Sequence, residues 1–199
     1  MELLIATANA HKARELAAVL GGLPLALRTL KDFPGLGEVE EDGLTLEANA
    51  CKKAVFYSRA SGLWALGDDS GLEVEALGGR PGVRSARYAG EPADSEANNR
   101  KLIQELSGLG PERRGARFRC VLALAGPSGE PRLEEGAVSG RITETYHGAG
   151  GFGYDPLFYL PELGRTMAEL SLEEKNRVSH RALALLKMKP HLLDLARGL

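Results

Sequence analysis

The sequence predicts an α/β fold in which a mixed, twisted sheet is flanked by helices. Short apolar segments bounded by turn residues alternate with segments that carry apolar residues at helical spacing, an order typical of α/β proteins. Two predicted strands are joined by a tight turn at residues 127–129, so the sheet should contain antiparallel as well as parallel pairs. No repeat or linker interrupts the chain, and residues 1–199 are predicted to form one domain.

Composition excludes several classes of function. The net charge of −2 provides no basic field, so nucleic acid is not an expected partner. No apolar stretch approaches the length of a membrane span, and the N-terminus lacks a secretory signal, so the cytoplasm is the expected location. Cys51 and Cys120 lie among apolar neighbours and are predicted to be buried thiols rather than a disulfide or a metal pair.

Residues 63–72 form the segment with the clearest chemical content. An apolar strand leads into Asp68, Asp69 and Ser70, and a turn is predicted at Gly71. Two adjacent acids repel one another unless a positive group lies beside them, and Mg²⁺ suits such oxygen ligands. The alternative is an ordinary Asp-Ser-Gly turn whose side chains bond only to the backbone.

A second candidate site follows the first predicted strand, residues 2–7. Asn9 is a plausible N-cap of the next helix, and His11, Lys12 and Arg14 crowd its first turn. Positive side chains oppose the helix dipole there, so their presence indicates an anionic ligand such as a triphosphate. The alternative is a tolerated surface lysine.

An acidic loop precedes the helix predicted for residues 46–61. The acids could be a solvated surface or could favour the helix N-terminus, and a metal role needs support from elsewhere. The loop carries Glu38, Glu40, Glu41 and Asp42. The helix is expected to bury the face formed by Leu44, Ala48, Cys51, Val55 and Ser58.

The remaining elements are predicted from turn residues and apolar spacing. We expect strands at residues 25–30, 72–77, 116–124 and 132–139, and another near 141–146. A helix should begin at Asp94 or Ser95. Ser171 and Glu174 form a capping box for a later helix, which Pro190 should end before a short tail helix.

The glycine-rich segment at residues 148–153 matches the spacing G-x-G-x-x-G, but it does not open a helix, and we reject a dinucleotide site. Glycines around Phe152 would let a flat ligand lie against the aromatic ring; a glycine-rich hairpin with core aromatics is the alternative. Further along, Lys175, His180 and Arg181 could donate hydrogen bonds to a carbonyl or phosphate oxygen, or form a surface patch.

Six motifs together resemble the inosine triphosphate pyrophosphatase family, which hydrolyses non-standard purine nucleoside triphosphates. They occur in the family's order across nearly the whole chain, at residues 7–12, 40–43, 68–71, 78–82, 152–156 and 174–181. The departures are Ala8, where many relatives have glycine, and Asp42, where some have threonine. Neither departure removes a functional group.

The resemblance implies a role for each motif. It implies an elongated, two-lobed structure with a central cleft, and a homodimer. Asp69 would activate water and, with Glu40, hold Mg²⁺; the residues alone do not rank Glu40 above Glu41, and Glu40 is our choice. The substrate-binding residues it implies are Thr7, Ala8, Asn9, Ala10, His11, Lys12, Ser70, Phe152, Gly153, Tyr154, Asp155, Lys175, His180 and Arg181.

The implied reaction converts ITP, dITP or XTP to the nucleoside monophosphate and pyrophosphate. His180 and Arg181 would donate to the 6-oxo group, which adenine lacks, so that adenine would leave buried donors unpaired. Two alternatives stay open: a pyrophosphatase for modified pyrimidine nucleotides, and a nucleotide-binding module that does not hydrolyse its ligand.

Overall fold

The computed structural model describes residues 1–198. In chain order, the elements are β1 (Glu2–Ala6), α1 (Ala10–Leu20), β2 (Ala26–Thr29), α2 (Leu46–Ser61), β3 (Trp64–Val74), β4 (Pro81–Gly82), α3 (Ser95–Glu105), β5 (Gly115–Ala125), β6 (Arg132–Ile142), β7 (Phe158–Leu160), β8 (Arg165–Thr166), α4 (Leu172–Val178) and α5 (His180–Arg197). Short 3₁₀ turns connect several of them. Helices interleave with strands, as the sequence predicts.

The strands form one mixed sheet, which confirms the predicted fold class. Their order is β2-β1-β3-β5-β6-β7-β8, and β4 pairs with β3. Strand β1 is parallel to both β2 and β3, whereas the β3–β4, β6–β7 and β7–β8 pairs are antiparallel. Parallel pairs require crossover connections, and α1 and α2 supply them between β1, β2 and β3.

The chain divides into two compact units. Unit 1 contains residues 1–69, 120–136 and 180–199, and the structure describes all of these except residue 199. Unit 2 contains residues 70–119 and 137–179. Strands β3, β5 and β6 therefore supply residues to both units. The prediction of a single domain is not tested by this division.

Unit 1 buries both faces of its parallel strands. Because successive side chains of a strand point to opposite faces, Leu3 and Ile5 pack with α1 and α5, whereas Leu4 and Ala6 pack with Tyr57 of α2. Strand β3 alternates in the same way, with Leu66 in the first cluster and Ala65 in the second. This alternation decides where the acids that follow on β3 point.

Unit 2 has its own core, which lies among β3, α3, β5, β6 and β7. The rings of Phe118 and Phe158 pack with their centroids 4.5 Å apart. Buried residues around them include Leu72, Val74, Leu102, Leu106, Ile142, Tyr154 and Leu157. Tyr154 follows the glycine-rich segment directly and Leu157 comes soon after it, so the chain enters the core where that segment ends.

Three predicted boundaries are wrong. Strand β3 does not turn at Gly71 but runs through the acids to Val74, so the interpretation as an Asp-Ser-Gly turn is excluded. Strand β6 is continuous; Gly140 there is needed because a Cβ would meet the ring of Phe158 at 2.8 Å. Helix α5 continues through Pro190, which lies on its exposed side. A proline removes one helical hydrogen bond but need not end a helix whose other face is packed.

Two expectations from composition can also be compared with the structure. Cys120 is buried, as predicted, but Cys51 is only half-buried. Across the described part of the chain, none of the helices has both the length and the apolar character needed to cross a membrane.

Candidate functional site

The turn after β1 has the geometry of a capped helix start. Asn9 is the N-cap of α1, and its Oδ1 accepts hydrogen bonds from the backbone N–H groups of His11 at 2.9 Å and Lys12 at 3.2 Å. The N–H of Asn9 donates in turn to the hydroxyl of Thr7. The predicted N-cap is confirmed. Ala8, Asn9, Ala10 and His11 are exposed, so a ligand can reach the turn.

Asp68 lies on the face of β3 that α1 and α5 cover, and it is fully buried. Its carboxylate accepts from Lys12 Nζ, from Arg181 Nε at 2.8 Å and from Cys120 Sγ at 3.2 Å. Burial by itself would raise the pKa of Asp68, but the charges of Arg181 and Lys12 outweigh it and hold that pKa well below its usual range. Asp68 is therefore a charged, neutralised group.

Arg181 is buried between two carboxylates. It donates through Nε to Asp68 and through Nη1 to Glu15. Burial tends to lower the pKa of the guanidinium, but Asp68 and Glu15 raise it. The predicted patch is thus not at the surface, since His180 and Lys175 are buried as well. The contacts of Arg181 favour a charge-neutralising role over the expected bond to a 6-oxo group.

Asp69 points to the opposite face of β3, toward α2. Asn49 Nδ2 donates to its Oδ2 at 3.2 Å, and Lys53 Nζ lies 3.4 Å from its Oδ1. Burial raises the pKa of Asp69, Lys53 and Lys12 lower it, and Glu41 adds to the increase; the result is a raised pKa. Asp69 is 6% exposed. A carboxyl in such surroundings can take up a proton more readily than an ordinary aspartate.

Lys53 joins Asp69 to the acidic loop. Its ammonium donates to Glu41 at 2.9 Å. Burial would lower the pKa of Lys53, but Asp69 and Glu41 raise it above the usual value, so the amine stays charged. Glu40 is exposed, and it makes no ion pair with any residue that the structure describes. The geometry thus favours Glu41, although the choice between the two glutamates stays a prediction.

The expected buried face of α2 is wrong. The helix buries Leu46, Asn49, Ala50, Lys53, Ala54, Tyr57 and Ser58, whereas Leu44 is 91% exposed. The reason is a close approach of α2 to β3: a Cβ on Gly67 would collide with the backbone of Ala50 and Ala54. Asn49 and Lys53 lie on that face, and the apolar pattern could not reveal them because both are polar.

The acids beside α2 fit one way in which proteins bind Mg²⁺. Mg²⁺ is usually held by one or two carboxylates, with waters and substrate phosphates completing its shell, rather than by a protein cage. Asp69 and Glu41 supply two carboxylates against the one charge of Lys53, which leaves a net negative charge. Among residues 1–198, no group of three or more potential ligands is placed to hold a metal.

In unit 2, the predicted base-binding residues form a fixed loop. The carboxylate of Asp155 accepts from the backbone N–H of Phe152 at 2.8 Å and from Lys175 Nζ at 2.6 Å. The same ammonium lies 4.8 Å from the centroid of the Phe152 ring, within cation–π range. Phe152 itself is half-buried. Asp155 and Lys175 therefore set the position of the ring, and their own contact with substrate stays a prediction.

Two residues that sequence reasoning missed, Asn99 and Ser85, complete the support of this loop. Asn99 Nδ2 donates to the carbonyl of Gly153 at 2.9 Å, and the hydroxyl of Tyr154 donates to the carbonyl of Ser85 at 2.8 Å. Burial raises the pKa of Tyr154 above its usual value. The Oδ1 atom of Asn99 is buried and has no hydrogen-bond partner among the described residues. Ser70, the other predicted contact in this unit, is half-buried on β3.

Three of the four glycines at residues 148–153 are required by close packing. A Cβ on Gly148 would lie 2.6 Å from the backbone of Ala168, and Gly148 also has a φ of +78°. The N–H of Gly150 donates to the carbonyl of Ala168 at 3.0 Å. The glycine spacing thus serves the packing of the loop, in agreement with our rejection of a dinucleotide-binding turn.

Comparison with known proteins shows which family this chain belongs to. The model of the Ham1 family matches residues 3–191. The chain belongs to the Ham1 family. Among curated Ham1 relatives, a dITP/XTP pyrophosphatase of Geobacter sulfurreducens is 55% identical over 190 residues, which are 96% of each chain. One of Geobacillus kaustophilus is 49% identical over 197 residues, covering 99% of this chain and 97% of the relative.

Solved structures of the Ham1 family have the same fold. A HAM1 protein from Coxiella burnetii superposes with a TM-score of 0.88 at 37% identity, covering 98% of this chain and 99% of that one. The Ham1 protein of Staphylococcus aureus gives a TM-score of 0.85 at 40% identity, with coverage of 96% and 98%. The resemblance read from the six motifs is therefore confirmed at the level of the family.

Proposed function

We propose that this Ham1 protein hydrolyses the non-standard purine nucleoside triphosphates ITP, dITP and XTP to the nucleoside monophosphate and pyrophosphate. Relatives that match nearly the whole chain are named dITP/XTP pyrophosphatases. The observation that carries the proposal is Asp69, a buried carboxyl with a raised pKa that Asn49 and Lys53 hold beside Glu41. Such a group is suited to accept a proton from water.

Triphosphate binding is assigned to the turn of residues 7–12. The positive end of the α1 dipole and the ammonium of Lys12 favour an anion, although the N–H groups of His11 and Lys12 already donate to Asn9. Lys12 already donates to Asp68, but its ammonium has three donors, so it can contact a phosphate without giving up that hydrogen bond. Arg181 also donates to Asp68, so that carboxylate keeps a positive partner if Lys12 turns toward the phosphate.

Hydrolysis is assigned to Asp69 as general base. Its carboxylate takes a proton from water while the water oxygen forms a bond to the α-phosphorus. The bond from that phosphorus to the bridging oxygen breaks, and pyrophosphate leaves. Asp69 and Glu41 would hold Mg²⁺, which when bound would neutralise the negative charge of the phosphates.

Base recognition is assigned to the loop at residues 152–155. The ring of Phe152 offers a flat apolar surface whose position is set by Asp155 and Lys175. Stacking on such a ring accepts any purine, so discrimination requires donors to the 6-oxo group. His180 stays our predicted donor, and Arg181 is the weaker candidate because carboxylates occupy its Nε and Nη1.

Pyrophosphate release from a panel of nucleotides tests the proposal. With Mg²⁺ present, dITP and XTP should give a higher kcat/KM than ATP, GTP or modified pyrimidine triphosphates. A preference for the pyrimidines would select the first alternative, and binding without any product would select the nucleotide-binding module. The requirement for Mg²⁺ is measured in the same assay by adding a chelator.

The homodimer is a further part of the proposal. It is supported only by the resemblance to the family. Analytical ultracentrifugation of the protein across a range of concentrations tests it, and a single monomeric species at all concentrations would contradict it.

A further inference from the structure

We propose that Asn49 is a positioning residue that ties the acidic loop to Asp69 and so places Glu41, rather than Glu40, beside it. The acidic loop is defined here as residues 38–43. The activity measurements that test this proposal rest on the proposed function. The hydrogen-exchange measurement that tests its structural part does not. It gives a physical reason for a choice that the sequence leaves open.

Helix α2 contacts three consecutive residues of the acidic loop through three side chains. The contacts run in reverse order along the chain: Asn49 Oδ1 accepts from the N–H of Gly43 at 2.8 Å, Lys52 donates to Asp42 at 2.6 Å, and Lys53 donates to Glu41 at 2.9 Å. The loop therefore runs antiparallel to the first turns of the helix. With Gly43 held, the residue that reaches Lys53 is the one two positions earlier.

Only two of these side chains also reach the catalytic carboxyl. Asn49 and Lys53 are four residues apart and lie on one face of α2. Both contact Asp69, at 3.2 Å and 3.4 Å, whereas Lys52 makes its ion pair at the surface with 39% of its side chain exposed. Asn49 and Lys53 thus couple the loop to Asp69, and Lys52 contacts the loop alone.

The chemistry of asparagine is required at position 49. Its side chain is 1% exposed, and both halves of the amide are used, Oδ1 as acceptor from Gly43 and Nδ2 as donor to Asp69. Aspartate would keep the acceptor and lose the donor, and an apolar residue would lose both. No other side chain of this length carries both groups.

The backbone geometry shows that this contact is built tightly. A Cβ on Gly43 would lie 2.5 Å from Oδ1 of Asn49 and 3.0 Å from the Cβ of Ala48, so any other residue would push the loop away from α2. A Cβ on Gly67 would likewise collide with α2. The helix is therefore packed directly against the loop and against β3, and Asn49 contacts both.

Hydrogen exchange of the Gly43 amide tests the structural half of the proposal in the metal-free protein. Asn49→Ala removes the acceptor, so the exchange of this amide should accelerate about tenfold, the effect of losing one hydrogen bond. Lys52→Ala is the matched control, because it releases the neighbouring loop residue without touching Asp69. Unchanged protection of Gly43 in Asn49→Ala would overturn the proposal.

Two substitutions at position 49 separate the functions of the amide. Asn49→Asp should preserve the protection of Gly43 and yet lower kcat about tenfold with little change in KM, because Asp69 loses a donor and gains a like charge. Asn49→Ala should lose the protection of the Gly43 amide and should also lower kcat. Lys52→Ala should keep wild-type kcat. Full activity of Asn49→Asp would contradict the coupling to Asp69. Near-wild-type circular dichroism and melting temperature of Asn49→Asp show that the fold is retained.

A double-mutant cycle tests which glutamate is positioned. The effects of Asn49→Ala and Glu41→Gln on kcat should be non-additive, because both act on one group of contacts, whereas Asn49→Ala and Glu40→Gln should combine additively. The reverse pattern would overturn the proposal. If the wild-type protein releases no pyrophosphate, the proposed function fails, and the exchange of Gly43 still decides whether Asn49 holds the loop.

Discussion

The two faces of β3 shift the pKa values of adjacent aspartates in opposite directions. On the side covered by α1 and α5, Asp68 receives Lys12, Arg181 and a thiol, and its pKa is lowered. On the side covered by α2, Asp69 shares one lysine with Glu41, and its pKa is raised. The difference is a matter of charge balance, since both carboxyls are buried.

The two aspartates differ in role: one stabilises the fold, and the other is suited to chemistry. A neutralised, fully bonded carboxylate stabilises the fold and has little tendency to take a proton. A carboxyl that lacks full compensation costs stability, but it attracts cations and protons. Strand alternation puts the two on opposite faces, so neighbouring residues of one strand can hold opposite roles.

Asp68→Asn should cause a large loss of stability. It removes one of the two negative charges that compensate the buried guanidinium of Arg181, and removing one partner of a buried ion pair costs about 3–5 kcal/mol. Urea unfolding at pH 7 measures the loss. A change below about 1 kcal/mol would show that the Asp68 side is not held by charge.

The pH dependence of that loss has a definite sign. Because the folded pKa of Asp68 lies below its unfolded value, its stabilisation is present above the unfolded pKa and disappears as pH falls through the folded pKa. The difference in unfolding free energy between wild type and Asp68→Asn should therefore shrink from pH 6 toward pH 2. A difference that grows in acid would contradict the assignment.

Asp69→Asn should lower kcat by about 10² or more, which is the scale for losing a positioned acid–base group. The amide can still accept from Asn49, so the fold should be intact. Turnover of dITP at saturating Mg²⁺ gives the value. Near-wild-type turnover would remove Asp69 from the chemistry.

Lys12→Met tests which charge effect dominates at the start of α1. The helix dipole alone predicts that removing this positive charge stabilises the protein by about 0.3–1 kcal/mol. The contact with Asp68 predicts the opposite, a loss of about 1.5–3 kcal/mol for a hydrogen bond between charged groups. A raised melting temperature in the variant would mean that Asp68 does not need Lys12.

Much of the fold could be predicted because local signals and tertiary structure agree. The N-cap at Asn9, the capping box of Ser171 and Glu174, and the bounds of α2 all follow from short-range chemistry, and the structure confirms them. The wrong boundaries at Gly71 and Pro190 arose where a residue typical of turns occurs within a packed element. Packing overrides local preference in such places.

The site was only partly predictable. Acids and basic residues that stand out in the sequence, such as Asp69 and Lys12, were found, whereas Asn49 and Lys53 were not. They lie within a helix whose pattern was judged by apolar spacing, and a buried polar face gives no such signal. The position of Arg181 between Glu15 and Asp68 depends on three segments distant in sequence, which no local pattern encodes.

The stability of Asp69→Asn tests the central claim most directly. The raised pKa means that the ionised carboxylate costs stability at neutral pH, since this group favours the folded state only below its unfolded pKa and loses that contribution as pH rises through the folded one. Urea unfolding at pH 7 with a chelator should therefore show the variant to be more stable than wild type, by about 0.5–2 kcal/mol. A loss as large as that expected for Asp68→Asn would contradict the account, because the two sides of β3 would then be alike.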